Sequence, residues 1–164
     1  MHTSAHAFTR EILYKSTDYE QMITRLKQGA NSPTASLIII IAPSPSQIQA
    51  VARELATKLG KMLHQARPSG LPSKYIGETE KNLGILLDQA SSSGWILFFD
   101  EADALFGKRT AVKDAHDRYA NQETSYLLEK LEKQRGRGIV IMGSRNSREL
   151  LMRLRKTRKF VVKV

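Results

Sequence analysis

Two adjacent carboxylates, Asp100 and Glu101, directly follow the apolar run Trp95–Phe99. At the end of a buried strand such a pair suits phosphate chemistry, because Asp100 could hold Mg²⁺ and Glu101 could polarise a water molecule for attack on a phosphate. The alternative is that both acids cap a helix that begins near Ala102. A strand–loop–helix segment further upstream favours the phosphate chemistry.

That upstream segment runs from the apolar strand Leu37–Ile41 through a loop into a helix. A phosphate cradle consists of backbone N–H groups that a glycine-rich loop turns toward the ligand. In this loop Pro45 has no N–H and a fixed φ, and Gln47 carries a side chain that a glycine-rich loop would lack. The serine hydroxyls and the dipole of the following helix still favour an anion. The candidate phosphate-contacting residues are Pro43, Ser44, Pro45, Ser46, Gln47, Ile48 and Gln49.

The elements that must position these residues alternate between strands and helices. Apolar runs rich in β-branched and aromatic residues predict five strands. Apolar residues at helical spacing lie between them, as in a helix from Ile48 to Leu59 that Ser46 can cap and Gly60 ends. The prediction is an α/β fold, a three-layer αβα sandwich around a five-stranded parallel sheet. The predicted strands are residues 37–41, 62–66, 95–99, 139–142 and 160–162.

Ligands of parallel sheets gather at the carboxyl ends of the strands. We therefore expect residues 42–49, 100–101 and 143–146 to lie along one rim. Residues 1–30 are expected to form a loose arm and a helix, which Thr17 and Glu20 open as a capping box. Residues 31–164 are expected to form the α/β core.

The composition is that of an ordinary globular domain, with 164 residues, 41% of them hydrophobic and 26% charged. The absence of cysteine excludes disulfides, thiolate metal sites and a cysteine nucleophile. No apolar run is long enough to span a bilayer and the N-terminus lacks a signal-peptide core, so a cytoplasmic location without a membrane partner is expected.

The net charge of +10 is concentrated towards the C-terminus, where Arg135–Lys163 contains ten Lys or Arg residues and a single acid, Glu149. Such a charge attracts acidic proteins or nucleic acid. Nucleic acid is the less favoured partner, because this segment has no interleaved aromatic residues apart from Phe160 on which bases could stack.

Three segments together resemble the core domain of AAA+ ATPases, in particular bacterial single-ring AAA proteins related in style to katanin and spastin. They are SKYIGETEKNL at 73–83, ILFFDEADALFGKR at 96–109 and HDRYANQE at 116–123. The resemblance covers roughly residues 37–162 and implies a P-loop NTPase-like fold that uses ATP and Mg²⁺.

The same resemblance assigns roles to individual residues. Asp100 and Glu101 match the Walker B pair, with Asp100 holding the metal. Tyr75, Ile76 and Gly77 match the loop that faces the central pore of a ring and grips the substrate.

The phosphate loop departs from the family pattern. Where family members have GPSGTGKT this chain has APSPSQIQ, so Ile48 replaces the lysine that pairs with the phosphates and Gln49 replaces the hydroxyl that ligates Mg²⁺. A charge-assisted hydrogen bond contributes about 1.5–3 kcal/mol, which is roughly 10- to 150-fold in affinity for the lysine alone.

Two further parts of the nucleotide machinery are changed. Arg145 and Asn146 form the candidate sensor region, with Asn146 one place later than the asparagine of the family. Lys156 and Thr157 stand where the family has an arginine pair. The chain stops at Val164, so the small helical lid that normally follows is expected to be absent.

These departures favour a non-hydrolysing AAA+-like domain without a bound cofactor, which serves as a regulatory or assembly module beside active AAA+ subunits or another protein partner. One alternative is a working ATPase with an atypical phosphate loop. The remaining alternatives are a decaying paralogue and a basic nucleic-acid-binding domain.

Overall fold

The computed structural model describes residues 9–28, 36–66, 78–100, 102, 138–155 and 157–164. Within these ranges, strands and helices alternate along most of the chain. The strands are β1 (Thr9–Leu13), β2 (Ser36–Ile41), β3 (Leu63–Ala66), β4 (Ile96–Phe99), β5 (Ile139–Ser144) and β6 (Lys159–Lys163). The helices are α1 (Thr17–Gln28), α2 (Pro45–Leu59), α3 (Glu78–Ser93) and α4 (Ser147–Arg153).

All six strands form one parallel sheet in the order β1-β6-β2-β5-β4-β3. The α/β class and the parallel sheet are confirmed, but the prediction of five strands is one strand short. The additional strand is β1, which pairs with β6 in the register Thr9↔Lys159 to Leu13↔Lys163. It was missed because it is an edge strand with Ile12 as its one buried residue, so it lacks the continuous apolar run of a central strand.

The sheet has a hydrophobic layer on each face, which gives the three-layer arrangement. On one face α1 and α2 pack on alternate strand residues such as Ile38 and Ile40. On the other face α3 and α4 pack on the intervening residues, such as Ile39 of the same strand. Burial of both faces explains why β2 has an uninterrupted apolar sequence.

Helix α2 begins immediately after the loop that follows β2. Its N-cap is Ser44 rather than Ser46, and Pro45 occupies the first helical position. Proline suits that position because its φ is already helical and its missing N–H is not needed there. Gly60 ends the helix in a left-handed conformation with φ 66°, as predicted.

In addition to the β1–β6 pairing and the core contacts of α1, polar contacts join the β1–α1 unit to α2. The Tyr14 hydroxyl donates a hydrogen bond to the Glu54 carboxylate. Lys58 forms ion pairs with Glu54 at 3.1 Å and with Glu20 of α1 at 3.0 Å. Helix α1 is capped by Ser16, whose Oγ accepts a hydrogen bond from the backbone N–H of Tyr19, one residue before the predicted cap.

None of the helices in the described ranges has the length and apolar character needed to cross a membrane.

Candidate functional site

The candidate site lies at the carboxyl edge of the sheet, where β2, β4 and β5 end. The loop after β2 meets the end of β5 through a hydrogen bond from the Ala42 N–H to the Ser144 carbonyl, 3.3 Å long. Asp100 directly follows β4, the next strand in the sheet. The sheet therefore brings together the phosphate-loop segment, Asp100 and the sensor region.

Backbone N–H groups at the N-terminus of α2 donate hydrogen bonds to acceptors within the same segment. Pro45 has no N–H, and the N–H of Gln47 donates to Ser44 Oγ at 3.3 Å. The N–H of Ile48 donates to the Ser44 carbonyl as part of the helix. The Ser44 hydroxyl in turn donates to Gln47 Oε1 at 3.0 Å. Because these groups satisfy one another, the segment has the geometry of a capped helix start and not that of an open phosphate cradle.

Ile48 points into the protein interior. Its side chain is 1% exposed and belongs to the core cluster on the α1–α2 face of the sheet. It packs so closely on Gly143 of β5 that a Cβ atom at position 143 would collide with Ile48 Cγ2. That Cβ atom would also lie 3.4 Å from the carbonyl oxygen of Asp100. The position that matches the family lysine is therefore an apolar contact between α2 and β5.

A chain of side-chain hydrogen bonds connects α2 with Asp100. Gln49 Nε2 donates to Gln65 Oε1 at 3.1 Å, and Gln65 Nε2 donates to Asp100 Oδ2 at 2.7 Å. All three side chains are partly buried. Sequence reasoning assigned no role to Gln65; the available signal is a polar residue near the end of a strand that leads to the carboxyl edge.

The sensor region is engaged in local hydrogen bonds. Asn146 is the N-cap of α4, and its Oδ1 accepts a hydrogen bond from the Arg148 N–H at 3.3 Å. The Ser144 hydroxyl donates to the Asn146 carbonyl at 2.8 Å. Arg145 and Asn146 are both exposed at this edge. Asn146 thus has a capping role whether or not it also contacts a ligand.

Several predicted site residues lie outside the described residues. These are Glu101 of the acidic pair and the whole pore-loop match, Tyr75, Ile76 and Gly77.

The residues present do not fit a magnesium nucleotide. The β- and γ-phosphates require an ammonium group and free backbone donors, but position 48 is apolar and buried, Pro45 has no N–H, and the N–H of Gln47 donates to Ser44 Oγ. Mg²⁺ prefers oxygen ligands, whereas Gln65 presents an amide nitrogen to Asp100 Oδ2. Elsewhere in the described part of the chain, no three His, Asp or Glu residues are grouped to hold a metal.

The basic C-terminal segment divides into exposed and buried residues. Arg145, Arg148, Arg155 and Arg158 are exposed. Lys159 is only 3% exposed, and its ammonium donates to Thr9 Oγ1 and to the carbonyls of Leu154 and Thr157. Burial lowers the pKa of Lys159 from its ordinary value. The segment is therefore not a uniformly solvated basic surface.

A parallel sheet with helices on both faces, and with the loop–helix segment and an acidic residue at neighbouring strand ends, defines an α/β protein with the P-loop NTPase fold. The crystal structure of the FIGL-1 AAA domain in complex with ADP has the same fold, with a TM-score of 0.64 at 18% identity. The alignment covers 90% of this chain and 53% of that one.

The chain belongs to the family named "ATPase family associated with various cellular activities (AAA)", whose family model matches residues 45–164. It is 31% identical over 155 residues to the "AAA ATPase forming ring-shaped complexes" of Corynebacterium kroppenstedtii, covering 88% of this chain and 25% of that protein. It is 25% identical over 118 residues to the ATPase-like fidgetin of Schizosaccharomyces pombe, covering 71% and 18%. The chain thus spans a quarter or less of the length of these curated relatives.

Proposed function

We propose that this AAA domain neither binds nor hydrolyses ATP and acts as a regulatory or assembly module beside active AAA+ subunits or another protein partner. The observation that carries the proposal is the burial of Ile48 against Gly143, at the position that matches the phosphate-binding lysine. A side chain packed in this way contributes no charge to a phosphate and fills space between α2 and β5.

The start of α2 supports the same proposal. A triphosphate would have to compete with Ser44 for the N–H of Gln47, and no rearrangement can supply a donor at Pro45. The loss of the lysine alone corresponds to roughly 10- to 150-fold in affinity. With loop donors and the metal-ligating hydroxyl also replaced, a micromolar nucleotide site is expected to become millimolar or weaker.

The retained features explain why such a domain would still interact with AAA+ proteins. The described residues contain the parallel sheet, a helical layer on each of its faces and the connection of Asp100 to α2 through Gln65. A relative forms ring-shaped complexes according to its name. We propose that this chain offers the surfaces of an AAA core to such a partner while it contributes no turnover of its own.

The alternative of a working ATPase is supported by one observation: the first turn of α2 has no acidic residue, and the serine hydroxyls lie at the positive end of the helix dipole. The two functions differ in their response to Mg·ATP. A ligand at 100 times its dissociation constant adds about 2.7 kcal/mol of stability, which raises the Tm of a domain of this size by roughly 5–10 °C.

The test is the thermal unfolding of the purified chain with and without millimolar Mg·ATP. The proposal predicts no change in Tm and no phosphate release above that of a Glu101→Gln variant. A rise in Tm of several degrees, or turnover that this substitution abolishes, would establish the working ATPase instead.

The proposed interaction with a partner protein needs a separate measurement. The chain is mixed with an active AAA+ protein from the same organism, and complex mass and ATPase rate are recorded. A stable mixed complex with an altered rate supports the regulatory module. Binding that instead requires nucleic acid and weakens steeply with salt would support the basic nucleic-acid-binding alternative.

A further inference from the structure

The bridge formed by Gln65 joins the two positions that a divalent cation joins in the family pattern. Position 49 matches the metal-ligating hydroxyl and Asp100 matches the metal-holding acid. Between them lies one carboxamide, which accepts from Gln49 Nε2 at 3.1 Å and donates to Asp100 Oδ2 at 2.7 Å. We infer that Gln65 replaces the metal: its amide connects α2 to Asp100 without a cation.

The sheet register places Gln65 correctly for this role. Gln65 of β3 pairs with Phe98 of β4, and Asp100 lies two residues beyond Phe98, directly after the end of that strand. Residues two apart on a strand point to the same face, and that is the face where α2 packs. The register therefore places Gln65 and Asp100 as diagonal neighbours on the face of the sheet that α2 covers.

The chemistry of the carboxamide explains the replacement. A divalent cation bridges two oxygen ligands by positive charge, whereas the amide of Gln65 offers an N–H donor to the carboxylate of Asp100 and an oxygen to Gln49. The inference deepens the proposed function, because it adds an obstacle to metal binding that is independent of the phosphate loop. It implies that restoring a lysine at 48 and a hydroxyl at 49 would not recover Mg²⁺ binding while Gln65 remains.

A substitution that changes a single functional group tests this role. Gln65→Glu removes the donor to Asp100 and places two carboxylates side by side, next to the amide of Gln49, which can turn its oxygen toward them. Opposed carboxylates repel, and together with an amide oxygen they form the ligand set that a hard cation prefers. A divalent cation should then return to the place that the amide occupied.

The measurement is the Tm of the full chain in chelator and then in millimolar MgCl₂ or MnCl₂, with no nucleotide present. The Gln65→Glu variant is expected to lose about 5 °C or more in chelator, since a hydrogen bond to a charged group is lost. The cation is expected to restore at least half of this loss. The wild-type chain and the control Gln89→Glu, an exposed glutamine of α3, should not respond to the cation. An equal cation response of all three chains, or none in Gln65→Glu, would overturn the inference.

If Gln65→Glu does not fold, a double-mutant cycle with Gln65→Met and Gln49→Met tests whether Gln65 bridges Gln49 and Asp100. In one continuous bridge, removing Gln65 also removes the partner of Gln49, so the double variant should have a Tm close to that of Gln65→Met alone. Strictly additive losses would contradict the bridge. Neither experiment contains ATP, so an ATP-induced rise in the wild-type Tm would refute the proposed function without deciding the role of Gln65.

Discussion

Positions 48 and 159 place contrasting side chains in the interior of the same domain. Ile48 is buried at the carboxyl edge, where the family pattern has a lysine. Lys159 is buried at the start of β6, at the opposite edge, with three oxygen acceptors around its ammonium at 2.7 to 3.1 Å. The comparison shows what a buried ammonium requires, since each of its donors needs an acceptor when water is excluded.

The surroundings of position 48 are apolar, in contrast to the three oxygen acceptors around Lys159. The atoms against Ile48 include the backbone of Gly143, and the side chain lies within an apolar cluster. In a nucleotide-binding site the phosphates themselves supply the acceptors. Where no phosphate is bound, an apolar residue at this position stabilises the fold more than a lysine would, because a buried ammonium would lack acceptors. The two positions therefore differ in what accepts hydrogen bonds nearby, and not in the degree of burial.

The largest expected effect comes from placing a buried ammonium, as found at position 159, at position 48. Ile48→Lys should destabilise the chain by roughly 3–5 kcal/mol, because an ammonium would be buried without a compensating partner. The measurement is the free energy of unfolding in urea. Ile48→Met is the matched control and should cost less than about 1.5 kcal/mol, since the side chain stays apolar with a similar volume.

Adding Mg·ATP to Ile48→Lys sharpens the comparison. Pro45 and Gln49 still lack the donor and the hydroxyl, so nucleotide should not recover the lost stability. Recovery by several degrees in Tm would mean that the lysine alone re-creates a phosphate site and that the rest of the loop is competent.

The second largest effect is expected at the contact between α2 and β5. Gly143→Ala introduces a Cβ atom that collides with Ile48 Cγ2, and overpacking of this kind costs about 1–3 kcal/mol. Combining it with Ile48→Leu, which has no methyl branch at Cβ, should cost less than the sum of the two single changes. Additive losses in urea unfolding would show that the two residues do not share this contact.

The sequence predicts most of this architecture because burial on both faces produces apolar strand sequences that can be recognised locally. The run Leu37–Ile41 is such a case. The edge strand β1 could not be found in this way, because its residues are mostly exposed and its pairing with β6 joins segments about 150 residues apart. The strand count was therefore wrong by one, although the fold class was right.

The candidate site was predictable in position but not in its contacts. The sequence shows that Ile48 stands where the family has a lysine. It does not show that Ile48 packs on Gly143, because this contact depends on how closely α2 approaches β5. The Gln65 bridge joins three elements; the sequence indicates a polar residue near the end of β3 but not the two side chains that it contacts. Lys159 belongs to a basic run that is typical of a surface, and only the fold reveals the acceptors that allow its burial.

The smallest expected effect is a pH dependence at position 159. Burial lowers the pKa of Lys159 in the folded chain below its ordinary value of 10.5, so between the two values the unfolded chain binds more protons. Stability should therefore rise as the pH increases through this alkaline window and level off near 10.5. Lys159→Met lacks the titrating group and should not show the rise.

The tyrosines act in the opposite direction. The hydrogen bond to Glu54 raises the pKa of Tyr14 and burial raises that of Tyr19, so both lower the stability of the folded chain once the pH exceeds the ordinary tyrosine value of 10.0. The relevant quantity is thus the difference in unfolding free energy between wild type and Lys159→Met, since both chains share the tyrosines. This difference should increase with pH in favour of the wild type. A flat or falling difference would mean that the three acceptors solvate the ammonium of Lys159 at least as well as water does, so that burial does not lower its pKa.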